Sequence, residues 1–166
     1  MDLKLKETMK KIFLTIAAVG ILGTSAFAKI DGGKKAETVT VSFSVQTEFD
    51  EQFSDATNVV WSITPNCQKA TFVEEGVAKT AFYNLQGEYL GVTENVAYAS
   101  ISAKAQKEIS VKYEGYKVGD VIKLTTNDTN AGFDQTVYFV DLKNDTNEVL
   151  LRVTPSAGVF FFKQVK

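Results

Sequence analysis

The chain has 166 residues, which is enough for one domain or for two small halves that share a core. Its 18 basic and 20 acidic residues include no basic run, so we do not expect it to bind nucleic acid. It contains no histidine, which excludes Ser-His-Asp and Cys-His nucleophiles, imidazole bases and His-rich metal sites.

Residues 1–28 are typical of a secretory signal peptide. Lys10 and Lys11 precede an apolar run that ends in Ala26-Phe27-Ala28. The run is shorter than the roughly 20 apolar residues that cross a bilayer, although a membrane anchor is the alternative. We predict cleavage after Ala28 and a periplasmic or secreted bacterial protein with no membrane span after cleavage. Cleavage would leave 14 basic and 18 acidic residues, a net charge of −4.

Residues 29–46 form a leader that starts polar and glycine-rich and then alternates. Val39, Val41, Phe43 and Val45 lie on one side of the alternation, with Thr and Ser on the other. This pattern predicts a half-buried strand over residues 37–45 at an edge of the sheet. A mobile arm is the alternative, and the sequence also leaves open whether translation starts at Met1 or at Met9.

The next stretch, from Glu48 to Ile63, changes its period. Phe49 and Phe53 are four residues apart, which predicts a short amphipathic helix. From Val59 the period becomes two, which predicts a strand. Short turns then separate three further predicted strands, at residues 68–74, 77–85 and 88–96. Such turns join only antiparallel neighbours, so this half is a helix followed by a four-stranded meander.

The same order then repeats. Ile101, Ala105 and Ile109 are spaced by four residues and predict a helix over 100–113. Ser100 or Ser102 would cap its start, and Gly115 lies where a left-handed residue would end it. Four more strands are predicted at residues 116–125, 135–143, 148–154 and 159–165.

The sequence therefore predicts an α+β fold made of tandem helix-plus-four-strand repeats. The half-repeats cover about residues 47–98 and 99–165, and together they form one domain over 47–165. Their strands would form one antiparallel sheet with the two helices on one face. Trp61, Phe72 and Tyr83 fit the helix-facing core, and Trp61→Ala should cost about 3–5 kcal/mol.

Several segments carry a resemblance to a known family. They are Phe49-x-x-x-Phe53-x-x-Ala56-x-Asn58-Val59-x-Trp61, Ala81-Phe82-Tyr83-Asn84-x-x-Gly87-Glu88-Tyr89-Leu90 and Tyr113-Glu114-Gly115-Tyr116-Lys117. The chain resembles, over about residues 47–165, the PepSY-like family of beta-lactamase-inhibitor-like exported bacterial proteins. It departs from the family pattern at Ser102 and Glu114, where members often have Pro. The resemblance implies a tandem fold like that of beta-lactamase inhibitor protein, and inhibition or partner binding, but it supplies no site residues.

Few residues in the sequence are candidates for a catalytic or metal site. The acid pairs Asp50-Glu51 and Glu74-Glu75 are adjacent residues whose side chains point apart, so we interpret them as solvated positions. Cys67 is the only cysteine, and it is either a buried thiol or one half of an intermolecular bridge. We predict no catalytic residues, no cofactor and no metal, and therefore no enzyme.

Aromatic residues suggest a binding surface instead. The candidate protein-binding surface consists of Phe82, Tyr89, Tyr138, Phe160 and Phe162. The alternative is that the leader strand or a second copy covers this face. We predict a periplasmic, non-enzymatic binding or inhibitor-like module whose partner is another exported or envelope protein. The alternative is a structural or envelope-stress accessory protein that self-associates through residues 39–45, and a homo-oligomer stays open.

Overall fold

The computed structural model describes residues 41–127, 134–156 and 158–166. The predicted signal peptide and most of the predicted leader lie outside the described residues. The helices and strands are α1 (Phe43–Gln52), β1 (Thr57–Ile63), β2 (Gln68–Glu74), β3 (Val77–Tyr83), β4 (Tyr89–Asn95), α2 (Ala103–Lys112), β5 (Lys117–Thr126), β6 (Thr136–Lys143), β7 (Glu148–Thr154) and β8 (Gly158–Gln164), with a 3-10 turn at Tyr98–Ser100 before α2.

The eight strands form one antiparallel sheet in chain order, from β1 at one edge to β8 at the other. This arrangement confirms the predicted antiparallel sheet with two helices in the same chain. Tight turns join successive strands of this sheet, and the β3–β4 turn is an example. Gly87 has a φ of +95° there, and an added Cβ would lie 2.9 Å from Val45 Cγ2. Glycine therefore serves both the turn and the approach of α1.

The strand predicted over residues 37–45 is wrong in its described part, because α1 begins at Phe43. Residues 37–40 lie outside the described residues. Ser42 caps the helix by accepting a hydrogen bond from the Val45 amide at 3.4 Å. Val41, Val45 and Phe49 are all buried, and their spacing of four places them on one side of a helix as well as of a strand. α1 thus starts four residues before the predicted domain boundary at 47.

α2 begins and ends close to its predicted limits. Ser102, rather than Ser100, caps it and accepts from the Ala105 amide at 3.2 Å. Gly115 follows with a φ of +84°, the left-handed conformation predicted for this position. The chain then enters β5, and the Tyr116 amide bonds to the Tyr113 carbonyl at 3.1 Å.

Buried apolar side chains form three clusters. α1 packs with Ala70, Phe72, Ala81 and Tyr83. α2 packs with a second set, namely Val121, Val140, Leu142, Val149, Leu151, Val153 and Val159. The third cluster contains no residue of either helix and consists of Cys67, Phe82, Ile122, Leu124, Val137, Phe139 and Leu150. The burial of these side chains, at about 1.5–3 kcal/mol for each large one, is the main stabilising contribution to the fold.

Three predicted core residues and the cysteine can be placed in these clusters. Phe72 and Tyr83 are fully buried, as predicted, whereas Trp61 is half-buried beside Phe49 and Tyr83. The Cys67 thiol is free and buried, with its Sγ 3.4 Å from Thr64 Oγ1, as in the first of the two alternatives for it. Within the described ranges, no helix is long and apolar enough to cross a membrane.

Candidate protein-binding surface

Cross-strand pairs define two faces of the sheet, because directly opposed residues point to the same side. One row of pairs runs from Ala81 to Val92 and Thr125, and we call its side the first face. The neighbouring row runs from Phe82 to Gly91 and Thr126, and we call its side the second face. The third cluster lies on the second face.

At the β8 end, the second face is aromatic. Pairing aligns Ile122, Phe139, Arg152 and Phe160 across β5 to β8. Phe139 is fully buried, whereas Phe160 is 44% exposed. Phe162 is half-buried and meets Phe139 edge-on, with ring centroids 5.1 Å apart. This end of the face therefore presents aromatic side chains on a rigid, packed base.

At the β1 end, the same face is polar and flat. Val60, Thr71, Thr80 and Thr93 form a row across the first four strands. The hydroxyls of Thr71 and Thr80 are 3.4 Å apart. The second face thus changes from threonines in one half of the sheet to aromatic and aliphatic side chains in the other.

The five predicted surface residues do not share one face. Phe82, Phe160 and Phe162 lie on the second face, but Phe82 is only 6% exposed and offers little area for contact. The placement of Tyr89 and Tyr138 on that face was wrong.

Pairing explains both errors. Tyr89 pairs with Tyr83, across a register shift between Phe82 and Tyr83, and packs with the α1 cluster. Burial raises the pKa of the Tyr89 hydroxyl to about 12. Tyr138 pairs with Val153 and packs with the α2 cluster. The sequence did not reveal this, because β6 is apolar on both sides and alternation alone does not assign its faces.

Sequence reasoning missed three features of the two faces. Arg152 lies beside Phe160 on the second face, and Phe161, which is 59% exposed, pairs with Leu151 on the first. The row of threonines was missed as well. Cross-strand register would have revealed all three, but register depends on bulges at Phe82/Tyr83 and Leu150/Leu151 that the sequence does not mark.

A buried acid lies on the second face next to the third cluster. Asp141 pairs with Leu150 and is 2% exposed. Its carboxylate occupies the space left by Gly119, where an added Cβ would lie 3.1 Å from Asp141 Cγ. Lys143 Nζ is 3.6 Å from Oδ2, and Oδ1 has no hydrogen-bond partner among the described residues. Burial raises the pKa of Asp141, and Glu148 raises it further.

A groove of about 410 Å³ lies beside α2 on the first face. Its walls are Tyr98, Tyr113 and Tyr116, and its floor includes Ile109 and Leu142. Among the described residues its lining contains no carboxylate, and its one charged side chain is that of Lys107.

Other charged residues are paired with one another. Lys79 Nζ lies 2.7 Å from Glu74 and 4.0 Å from Glu94, and Glu94 in turn bonds Lys123 at 2.8 Å. This row neutralises the first member of the predicted Glu74-Glu75 pair. In the described part of the chain, no group of three or more His, Cys, Asp or Glu side chains could hold a metal ion.

Comparison with known proteins identifies the fold. No family model matches the chain, and no curated protein matches its sequence. Solved structures from Bacteroides do match, each over 76% of this chain. A BLIP-like protein from B. fragilis is 16% identical with a TM-score of 0.64 over 88% of its own length. A DUF2874 family protein from B. uniformis is 14% identical with a TM-score of 0.66 over 91%.

A candidate periplasmic protein from B. eggerthii is similar to the same degree, at 14% identity and a TM-score of 0.67 over 91% of its length. At such identities the likeness concerns the course of the backbone rather than any function. The chain therefore has the fold of the BLIP-like and DUF2874 proteins.

Proposed function

We propose that this protein is a non-enzymatic, protein-binding module of the bacterial periplasm, inhibitor-like in its mode of contact. The partner, another exported or envelope protein, would dock on the β8 end of the second face. One observation carries the proposal: Phe160 is exposed beside Arg152, in a cross-strand row that also contains the buried Phe139. Aromatic and arginine side chains on a rigid base are the residues that most often anchor protein interfaces.

Two further observations support the compartment and the class. The signal-peptide pattern of residues 1–28 predicts export, and one structure of similar fold belongs to a candidate periplasmic protein. The BLIP-like neighbour makes an inhibitor-like contact a natural hypothesis for this fold. The PepSY-like name stays a prediction. Export is checked by mass spectrometry of the purified protein, which should begin at Lys29.

We also infer that the fold is a tandem repeat with both helices over the first face. α1 contacts Ala81, which shares the first-face row with Val92 and Thr125. α2 contacts Val140, which pairs with Val121, two positions along β5 from Lys123 and four from Thr125. Alternation along β5 puts these residues on one side. Both helices on that side would leave the exposed β8 end of the second face, where Phe160 lies, to a partner.

The test compares two neighbouring phenylalanines. The protein is immobilised, envelope extract is passed over it, and any retained protein is purified and titrated against variants. Phe160→Ala should weaken its binding at least about tenfold, as for an anchor residue. Phe161→Ala is the matched control, since Phe161 is more exposed but lies on the first face. Equal binding by the two variants, or no retained protein, would contradict the proposal.

The alternative function is a structural or envelope-stress accessory protein that self-associates. Residues 39–45 no longer provide its edge, because the described part of that stretch enters α1. A different observation keeps self-association as a candidate, namely the exposed outer edge of β1.

A further inference from the structure

The outer edge of β1 lacks the charges and prolines that protect many sheet edges. β1 is the first strand in the sheet order, and its only strand partner within the described residues is β2. Its sequence, Thr-Asn-Val-Val-Trp-Ser-Ile, contains no charge and no proline. Val60 is 64% exposed, and Ile63 is exposed as well. An apolar, uncharged edge is a template for another strand, and natural edges often avoid this with lysines, prolines or bulges, of which β1 has only a bulge at its start.

The geometry shows which backbone groups the edge offers. A bulge at Thr57–Val60, where Asn58 has a φ of +56°, leaves Val60–Ile63 in regular register with β2. The Thr64 amide bonds to the Cys67 carbonyl at 2.8 Å, across the β1–β2 hairpin. Because hydrogen-bonded and non-hydrogen-bonded pairs alternate in an antiparallel ladder, the amides and carbonyls of Trp61 and Ile63 point away from β2.

We propose that β1 pairs with β1 of a second copy, antiparallel and centred on Trp61. A twofold axis perpendicular to the sheet keeps the faces of both copies aligned, so it pairs residues whose numbers are both odd or both even. Centring on Trp61 joins the outward backbone groups. It also brings exposed Ile63 opposite Val59 of the partner subunit, and Val60 opposite Ser62 of the partner subunit.

The chemistry of the edge favours a second copy over a charged segment of another protein. The stretch 59–63 can pair with itself, because Ile63 meets Val59 of the partner subunit, Val60 meets the small Ser62 of the partner subunit, and no charge is left unpaired. α1, whose Phe49 packs on Trp61, contains Glu48, Asp50 and Glu51 and no basic residue. Two copies would place these acids on both sides of the axis, so added salt should strengthen their association, whereas it would weaken the binding of a basic segment.

The other edge is less suited to this role. β8 is interrupted by a bulge at Phe162, and Lys163 follows. A lysine on an edge strand disfavours further pairing. The inference goes beyond the proposed function, because it uses the edge of the sheet opposite to Phe160.

The experiment is sedimentation velocity on the protein purified from its host, over a wide range of concentration. The interface is small, so we expect a weak dimer whose weight-average mass rises towards twice the monomer mass. Val60→Lys should weaken association at least about tenfold, since it places a charge on the paired edge. Val111→Lys is the matched control, because Val111 is 71% exposed on α2, and it should associate as the wild type does.

Register is tested with a charge pair. Ser62→Glu alone should remain monomeric, but an equal mixture with Val60→Lys should associate, because Lys at 60 then faces Glu at 62 across the axis. Hydrogen exchange at the Trp61 and Ile63 amides should slow as the wild-type concentration rises.

A wild type that stays monomeric at every concentration would overturn the proposal, as would a mixture that fails to associate. Slow exchange at these amides in the monomer would also overturn it, because another segment of the chain would then cover the edge. Association that weakens with salt would point instead to a basic partner segment and contradict pairing between copies.

Discussion

Replacing Asp141 by Asn should stabilise the protein at neutral pH, because the native carboxylate is buried without adequate partners. Its nearest cation, Lys143, lies 3.6 Å away with a side chain that is 57% exposed, so water screens that charge. Oδ1 has no hydrogen-bond partner among the described residues. A buried, incompletely paired charge costs more than the neutral amide of nearly the same shape.

The raised pKa of Asp141 determines how the free energy of unfolding changes with pH. Burial raises the pKa of Asp141 above its ordinary value of 3.8, Glu148 and Asp120 raise it further, and Lys143 opposes them. A carboxyl whose pKa is higher in the folded state binds its proton more tightly there. Wild-type stability should therefore fall as pH rises from about 4 through the folded-state pKa. Asp141→Asn removes this titration, so the stability difference between variant and wild type should grow with pH.

The size of the gain follows from the unpaired oxygen and the desolvated charge. We expect Asp141→Asn to raise the free energy of unfolding by about 1–3 kcal/mol at pH 7, with little gain below about pH 4. Each unit by which folding raises the pKa adds about 1.4 kcal/mol to the difference. The assay is urea unfolding of both proteins across this pH range.

A matched control separates this effect from loss of negative charge in general. Asp145 lies exposed in the β6–β7 turn, and Asp145→Asn should leave the free energy of unfolding at pH 7 unchanged. A destabilised Asp141→Asn protein at pH 7, or a stability difference that does not vary with pH, would refute the reasoning. Either result would mean that the carboxylate has partners that stabilise its charge.

Three other predictions concern the first face and the middle of the sheet. Phe72→Ala should lower the free energy of unfolding by about 3–5 kcal/mol, because its ring is fully buried. Trp61→Ala should lower it by at most about 3 kcal/mol, because its ring is half-buried. Equal losses of free energy in urea unfolding would contradict this assignment. Gly91→Ala should lower the free energy of unfolding by at least about 2 kcal/mol, since Gly91 has a φ of +151° and the new Cβ would lie 2.5 Å from the Thr125 carbonyl oxygen. An unchanged free energy of unfolding and unchanged amide exchange in β4 and β5 would argue against this. Burial raises the pKa of Tyr83 and that of Tyr89, the latter to about 12. Both hydroxyls should therefore stay protonated in an absorbance titration until about pH 11. Ionisation of every tyrosine near pH 10 in the folded protein would contradict their burial.

Strand positions were predictable where turns mark them clearly. β2 and β7 match their predicted bounds, residues 68–74 and 148–154, because Pro65-Asn66 and Asn144–Asn147 precede them and polar turns follow. α2 was equally clear, since it combines a spacing of four with a capping serine and Gly115. Local chemistry and tertiary packing agree in these segments.

The stretch before α1 was mispredicted because its pattern fits two periods. Val41, Val45, Phe49 and Phe53 are spaced by four, which places them on one side of either a strand or a helix. The intervening Thr and Ser residues completed an alternation of period two, which favoured the strand. Packing on Ala70 and Phe72 of the sheet, and the cap at Ser42, decided for the helix, and tertiary contacts of this kind lie outside what one segment reveals.

Two residues of the candidate surface, Tyr89 and Tyr138, were assigned to the wrong face for a related reason. Residues 137–140 of β6 are an unbroken apolar run, so the alternation that would assign Tyr138 to a face is absent from the sequence. Tyr89 follows a register shift that a sequence cannot signal. Phe160 and Phe162 were placed correctly relative to each other, since residues two apart along a strand point to the same side.

The two halves of the sheet have the same order of elements, but they differ in whether one or both faces of their strands are buried. β6 and β7 are buried on both faces, so the second half forms a stiff base for Phe160. β1 buries no residue fully, and its outer edge has no strand partner in the part of the chain that the structure describes. Binding at Phe160 and pairing at β1 would therefore use opposite ends of one rigid sheet. Because the two ends share no residue, Val60→Lys should leave partner retention intact and Phe160→Ala should leave self-association intact. Loss of both activities in either variant would show that a single surface serves them, and the assignment of two separate surfaces would be wrong.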